Sequence, residues 1–421
     1  MEIFNRILCG FIMPFFLISL GIYFAFKLRF FYILHPIRTF KTILSSQKEG
    51  FKSLSVALSG TLGVGNIVGV SSAIFLGGAG SIFWMWLSAL CAMSVKYAEV
   101  YLAMIFRQKK DEKFFGGSPY YINEGLSKKL GAGKAYFLSI IFAFFCIINS
   151  LSTGNLVQIN SVSSLSTCSS LAFGIIFAIL SFLAIIGGIK RIAKVTSVLI
   201  PILSLSYILL CLYIILARFN DVPKIFNEIF KDAFSLKCAT SGFLGYGIIA
   251  TIRYGISRGV LSNEAGCGTS PSAHASSDCT DPHAQACLGI FEVFVDTILL
   301  CTLTAIVILL IRPENATTPM ELVLFSFEKV AGSFGSIAIS VIAILFAFAT
   351  VICQFFYGSE ALSYITKKQG PKHIYMLVFL LIMVIGAVIP MSLMWEISDI
   401  SIGVMTVVNL ACIFLLREHI K

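Results

Sequence analysis

The chain is predicted to fold as an all-α polytopic membrane protein. About eleven transmembrane helices are expected, an extra N-terminal one followed by two sets of five in inverted repeat. Three observations lead there. The 421 residues are 57% hydrophobic and only 12% charged, about half the charge of a soluble domain, and the mean hydropathy is +0.92. Apolar runs of bilayer length recur along the whole chain. The basic residues of the intervening loops fall 21 on one side and seven on the other, which sets the N-terminus outside and the C-terminus in the cytoplasm.

The first apolar run, Leu8 to Phe26, ends in Lys27-Leu28-Arg29 without a small-residue cleavage site, so a retained helix is expected rather than a signal peptide. Further spans centre near residues 54–76, 81–106, 135–162, 170–188 and 196–217, then 240–260, 285–311, 335–358, 373–392 and 398–416. The expected organisation is an N-terminal helix and basic loop (1–53), a first five-helix repeat (54–217), an extracellular linker (218–239), a second repeat (240–416) and a cytoplasmic tail (417–421). The net charge of +10 belongs to cytoplasmic-face retention, so no nucleic-acid partner is expected. The twelve cysteines, scattered mostly through apolar segments without CxxC spacing, read as buried thiols.

The stretch Ser59-Gly60-Thr61-Leu62-Gly63-Val64-Gly65-Asn66-Ile67-Val68-Gly69-Val70 interrupts the second span with four glycines and an amide. Such material suits a broken helix whose unwound N–H and C=O groups bind a small zwitterion and a cation. The alternative is a small-xxx-small packing seam, since Gly65 and Gly69 have that spacing. The second half opens with its own glycine run, Gly242-Phe243-Leu244-Gly245-Tyr246-Gly247. Paired glycine-broken helices in halves of opposite orientation point to a secondary transporter.

Charges within spans need partners. Lys96 and Glu99, three apart, are expected to pair with each other. Asp296 and Glu292 share a face of the eighth span, as a proton relay or as packing hydrogen bonds. Asn155, Gln158 and Asn160 line one side of the fourth span, either facing a dipolar ligand or tying helices together. The run from Ser262 to Pro271 and on to His283 reads as a cytoplasmic loop with glycine turns, its His, Cys and Asp residues lacking a metal-ligand spacing. Arg253, Arg258 and Glu264 are expected to form an ion network at the cytoplasmic end. There is no nucleophile–base triad, phosphate loop or dinucleotide fingerprint, so no enzyme and no organic cofactor are expected.

Several of these stretches resemble the alanine/glycine:cation symporter family: Gly60-Thr61 through Val70, Phe83-Trp84-Met85-Trp86 with Lys96-Tyr97-Ala98-Glu99, Gly117-Ser118-Pro119-Tyr120-Tyr121-Ile122, Gly154-Asn155-Leu156-Val157-Gln158, Gly187 to Ile192, Ile252-Arg253-Tyr254-Gly255, Arg258 to Gly266 and Val295-Asp296-Thr297. The resemblance implies a leucine-transporter-like fold in the cell inner membrane, importing small neutral amino acids, alanine and glycine above all, with sodium. It further implies substrate contacts at Gly60, Thr61, Gly63, Gly65, Asn66 and Gln158, to which Gly245 and Gln354 are added as candidates here, and a sodium site near Thr61 and Thr350. Three positions depart from the family pattern, one of them Val408 in place of a usual Pro. Gln354 stands where many relatives carry Trp, which opens the pocket to a polar side chain such as serine or glutamine. Ala349 replaces a serine that is a candidate sodium ligand. Proton coupling or exchange through Asp296 or Glu292 is the rival within transport, and a transporter-like sensor or channel is the rival from another class.

Overall fold

In the computed structural model, residues 7–45, 48–110, 113–166, 168–235, 247–313, 316–389 and 391–420 are described. The first span, α1 (Leu8–Lys27), closes on Lys27, a cation suited to the carbonyl end of a helix. Left-handed Arg29 and Phe30 (φ 52° and 51°) turn the chain toward an amphipathic helix, α2 (Pro36–Ser45). Next come α3 (Lys48–Thr61) and α4 (Val68–Gly77), joined by a single 3-10 turn. Their apolar parts, Gly50–Thr61 and Val64–Gly77, bend by 59° and together are long enough for one span.

The first half continues through α5 (Ser81–Ile105), α6 (Ser118–Leu130), α7 (Ala132–Ser163, with a π turn at Ser152–Leu156), α8 (Ser170–Ile185) and α9 (Gly188–Ala217). A surface helix, α10 (Val222–Ala233), precedes α11 (Ile248–Asn263). The second half closes with α12 (Pro282–Ile311), α13 (Pro319–Ile365), α14 (Gln369–Gly386) and α15 (Met391–Leu415). Gly332, with φ 60° and ψ −158°, divides α13 into a short surface helix and a long span.

Helices lie over every stretch expected to be a span; the stretch 240–260 is described only from residue 247. Among the described residues eight helices are long and apolar enough to cross a membrane, and α3–α4 qualifies as a bent pair. The all-helical expectation gives way, among the described residues, only at β1 (Gln108–Lys110) and β2 (Lys113–Phe115), an antiparallel ribbon in which Gln108 faces Phe115. Helix α5 forms the centre, packed by α12, α11 and α1, and it alone carries Lys96 and Glu99 into the interior. By contrast α9 and α14 lie at the periphery and expose Leu205, Leu209, Leu377 and Leu381, as lipid-facing helices do.

The break expected at the glycines of 242–247 is not open to description. Residues 236–246, Gly245 among them, fall outside the described residues. Among the described residues a helix break follows α11, where Glu264, Gly266 and Gly268 adopt φ of 49°, 83° and 76°. Residues 261–270 are all buried, so the expected cytoplasmic loop is an interior segment. Its backbone is satisfied by side chains: Ala265 N–H donates to Asn263 Oδ1 at 2.9 Å, Asn409 Nδ2 to Gly266 O at 2.9 Å, and Ser118 Oγ to Gly268 O at 2.8 Å.

Candidate functional site

The α3–α4 break is built by residues that cannot be larger. Gly63 has φ −134° and ψ −153°, angles open to any residue. Space is what it lacks: a Cβ there would fall 2.5 Å from Thr350 Oγ1 and 2.8 Å from Gln158 Oε1. A Cβ on Gly65 would approach the Ser262 backbone to 3.1 Å, and one on Gly60 would meet Tyr357 Oη at 2.9 Å. Gly69 has nothing within 4 Å. The small residues thus serve both readings, close packing at Gly65 and an unwound link at Leu62–Gly63.

The freed backbone groups are met from other helices. Val64 N–H donates to Gln158 Oε1 at 3.1 Å, and Thr350 Oγ1 donates to Leu62 O at 3.2 Å. Asn66 holds the turn itself, accepting from Gly63 N–H at 3.1 Å. Its Nδ2 donates to Asp296 Oδ1 at 2.6 Å and to Ser262 Oγ at 3.0 Å, and Ser262 and Thr297 donate to Asp296 Oδ2 at 2.9 and 2.7 Å. Asp296 is therefore the clasp between the two broken helices. Thr61 turns its hydroxyl back to Leu58 O at 3.3 Å in its own helix. Of the amides on α7, only Gln158 reaches the break. Asn155 donates to Phe379 O and Asn160 to Gly386 O, both toward α14, so these two tie helices together.

One turn beyond Thr350, Gln354 packs on Gly154, where a Cβ would come within 2.5 Å of its own Cβ. Its Nε2 donates to Glu264 Oε1 at 2.6 Å, while its Oε1 is buried without a partner. Glu264 Oε2 accepts from Thr269 at 2.5 Å. Lys96 does not pair with Glu99 as its spacing suggests. It binds Glu292 Oε1 at 3.3 Å and Ser270 Oγ at 2.9 Å, and the other Glu292 oxygen meets His274 Nε2 at 3.1 Å. Glu99 instead accepts from Asn409 Nδ2 at 2.6 Å. His274 and His283 are thus engaged separately, the latter with Tyr97 Oη at 2.7 Å. Among the described residues no His, Cys, Asp and Glu side chains gather in a metal-binding group of three.

The expected Arg253–Arg258–Glu264 network does not form. Arg258 Nη1 meets Asp399 Oδ1 at 3.5 Å, beside Cys9, whose thiol donates to Asp399 O at 3.0 Å. A Cβ on Gly10 would come 3.5 Å from Arg253 Cδ. Both arginines therefore stand at the end of the molecule where α1 begins, while Glu264 lies inside. On the other side, a 410 Å³ cavity reaches up from Lys52, Lys190 and Asp278 to Val56 and Phe356. Val56 is one turn from Gly60 and Phe356 two residues from Gln354. Sequence reasoning missed the Asp296 clasp and the Gln354–Glu264 bond. The dense polar run Ser262-Asn263-Glu264 before two glycines was the available signal.

Broken helices clasped by polar side chains are one measure of kinship, and sequence comparison supplies another. Residues 1–421 match the model of the sodium:alanine symporter family. The chain belongs to that family. It is 34% identical over 420 residues to the uncharacterized transporter YflA of Bacillus subtilis (95% of this chain, 87% of YflA). It shares 34% over 376 residues with the sodium/alanine symporter AgcS of Methanococcus maripaludis (87% and 81%). With the probable sodium/glutamine symporter GlnT of Bacillus subtilis it shares 32% over 417 residues (96% and 84%). Among solved structures it resembles a Na+-coupled sialic acid symporter in a substrate-bound outward-open state (TM-score 0.53, 14% identity, 98% of this chain and 87% of that one). It also resembles MhsT in complex with L-phenylalanine (TM-score 0.52, 13%, 89% and 99%). These two likenesses concern the fold, which is leucine-transporter-like. This sodium:alanine symporter family member is a multi-pass membrane protein of amino-acid:cation symport.

Proposed function

We propose that this protein uses sodium influx to import small neutral amino acids, alanine and glycine foremost, across the cell inner membrane, with its N-terminus outside and its C-terminus in the cytoplasm. The halves 54–217 and 240–416 would alternate access to a site between them. The observation that carries the reading is the unwound Leu62–Gly63 link, flanked by Gln158 and Thr350. In this reading the first N–H groups of α4 receive the substrate carboxylate, since helix N-termini favour anions. Carbonyls at the end of α3, with Thr350 Oγ1, hold sodium. Gly60, Thr61, Gly65 and Asn66 frame the substrate from the break, and the 410 Å³ cavity is the cytoplasmic way out. One charge moving down 100 mV supplies about 2.3 kcal/mol toward accumulation.

A second reading concerns the substrate side chain. The unpartnered buried Oε1 of Gln354 favours a hydrogen-bond donor opposite it, as serine or glutamine would provide. The deciding experiment is uptake of radiolabelled alanine into proteoliposomes, with sodium outside, inside or absent, and with glycine, serine and glutamine as competitors. Uptake that requires inward sodium and is competed best by glycine supports the first reading. Competition led by serine or glutamine moves the assignment to the second, and uptake indifferent to sodium removes sodium coupling.

A further inference from the structure

A second built site lies away from the helix breaks, at the C-terminal end of α1. Two cavities lie side by side there, both lined by Phe31 and His283. The first, of 210 Å³, is completed by His35, Arg38, Thr39 and Thr42. The second, of 370 Å³, is bordered by Lys27, Arg29, Tyr97 and Tyr101. Among the described residues no carboxylate lines either cavity. The side chains of Arg29 and Arg38 have no hydrogen-bonding or ion-pairing partner among the described residues. Asp281, two residues from His283, directs its carboxylate to the His283 N–H at 2.9 Å, and Lys27 donates to Arg417 O.

Helix α2 gives the site a second chemistry. At 100° per residue its Arg38, Thr39 and Thr42 share the face toward the cavity. Ile37, Phe40 and Leu44 form the opposite stripe, 74%, 49% and 60% exposed. A short helix with that division, beside the exposed Phe26 and Ile22 of α1, has the character of one lying in a membrane interface. Cations in a cleft behind an apolar face complement one class of molecule, a phosphodiester bearing acyl chains.

We propose that these two neighbouring cavities take the headgroup of an anionic phospholipid, with Arg38 reaching its phosphate from one and Arg29 from the other, and its chains along the apolar surface of α1 and α2. The site is mechanically close to the transport core. His283 opens α12, which also carries Glu292, and the Tyr97 that bonds His283 follows Lys96, the partner of Glu292.

The test is native mass spectrometry of the full chain, titrated with phosphatidylglycerol or with phosphatidylethanolamine. The proteins compared are the wild type, Arg29→Ala/Arg38→Ala, and Lys41→Ala, which removes a charge on the same helix away from the cavity lining. The expected result is retention of phosphatidylglycerol over phosphatidylethanolamine by wild type and Lys41→Ala. The double variant should weaken retention about 25-fold, about fivefold for each arginine near an anionic surface. Equal retention by wild type and double variant overturns the site, as does an equal loss in Lys41→Ala. Binding of inorganic phosphate that displaces phosphatidylglycerol overturns the lipid assignment in favour of a soluble anion. Because the readout is binding, failure here leaves the transport reading untouched.

Discussion

Gly63 is a glycine for want of room, and that makes it a sharp probe. Gly63→Ala places a methyl against Thr350 Oγ1 and Gln158 Oε1, with an overpacking cost of about 1–3 kcal/mol. The expected protein inserts and elutes normally but loses uptake, because the strain falls on the two groups that hold the break. Thr350 tests the cation reading. Thr350→Ala removes the hydroxyl beside Leu62 O and should raise the sodium concentration for half-maximal uptake five- to tenfold, about 1–1.5 kcal/mol, while Thr350→Ser keeps it. Gln354→Leu deprives Glu264 Oε1 of its donor. The expected costs are about 1–3 kcal/mol of stability, read from thermal melting in detergent, and weaker competition by serine and glutamine relative to alanine.

At the scale of elements, α5 is joined to α12 by an ion pair in which both side chains are 0% exposed. Removing one member of a buried pair costs about 3–5 kcal/mol, whereas replacing both by apolar residues of similar size costs little. Lys96→Met should therefore lower the melting temperature sharply, and Lys96→Met/Glu292→Met should recover most of the loss. If the double variant melts with the single one, the bridge is holding something other than the two helices. The pair also explains why α12 carries a carboxylate so deep, since Lys96 and His274 answer its two oxygens from α5 and from the short helix at Pro271–Ala275.

For the whole molecule, the contrast lies between its two ends. A cavity opens between Lys52 and Phe356, whereas at the other end Arg258 joins α11 to α15 through Asp399, whose carbonyl accepts from the thiol of Cys9, 4% exposed. On the proposed topology, with the N-terminus outside, this contact is expected to close the outer side. In a Cys168→Ser background, which removes the one exposed thiol among the described residues, Arg258→Ala should speed labelling of Cys9 by an impermeant maleimide added outside. Unchanged labelling would show that the contact does not gate access.

The all-helical membrane character, the helix break at residues 62–63 and the family were legible in the sequence. Each depends on properties that run along the chain: the length of an apolar run, the clustering of glycines, the order of motifs. The partners of the buried polar groups were not. Lys96 passes over Glu99, three residues away, for Glu292, 196 residues on, and Asn66 finds Asp296 at a separation of 230. The second break sits after Asn263 because side chains from α6, α15 and α11 itself satisfy its backbone there. Apolar burial specifies that a helix crosses and roughly where. Only packing decides which faces meet, and a buried polar group, costly when left alone, takes whichever partner that packing brings within reach.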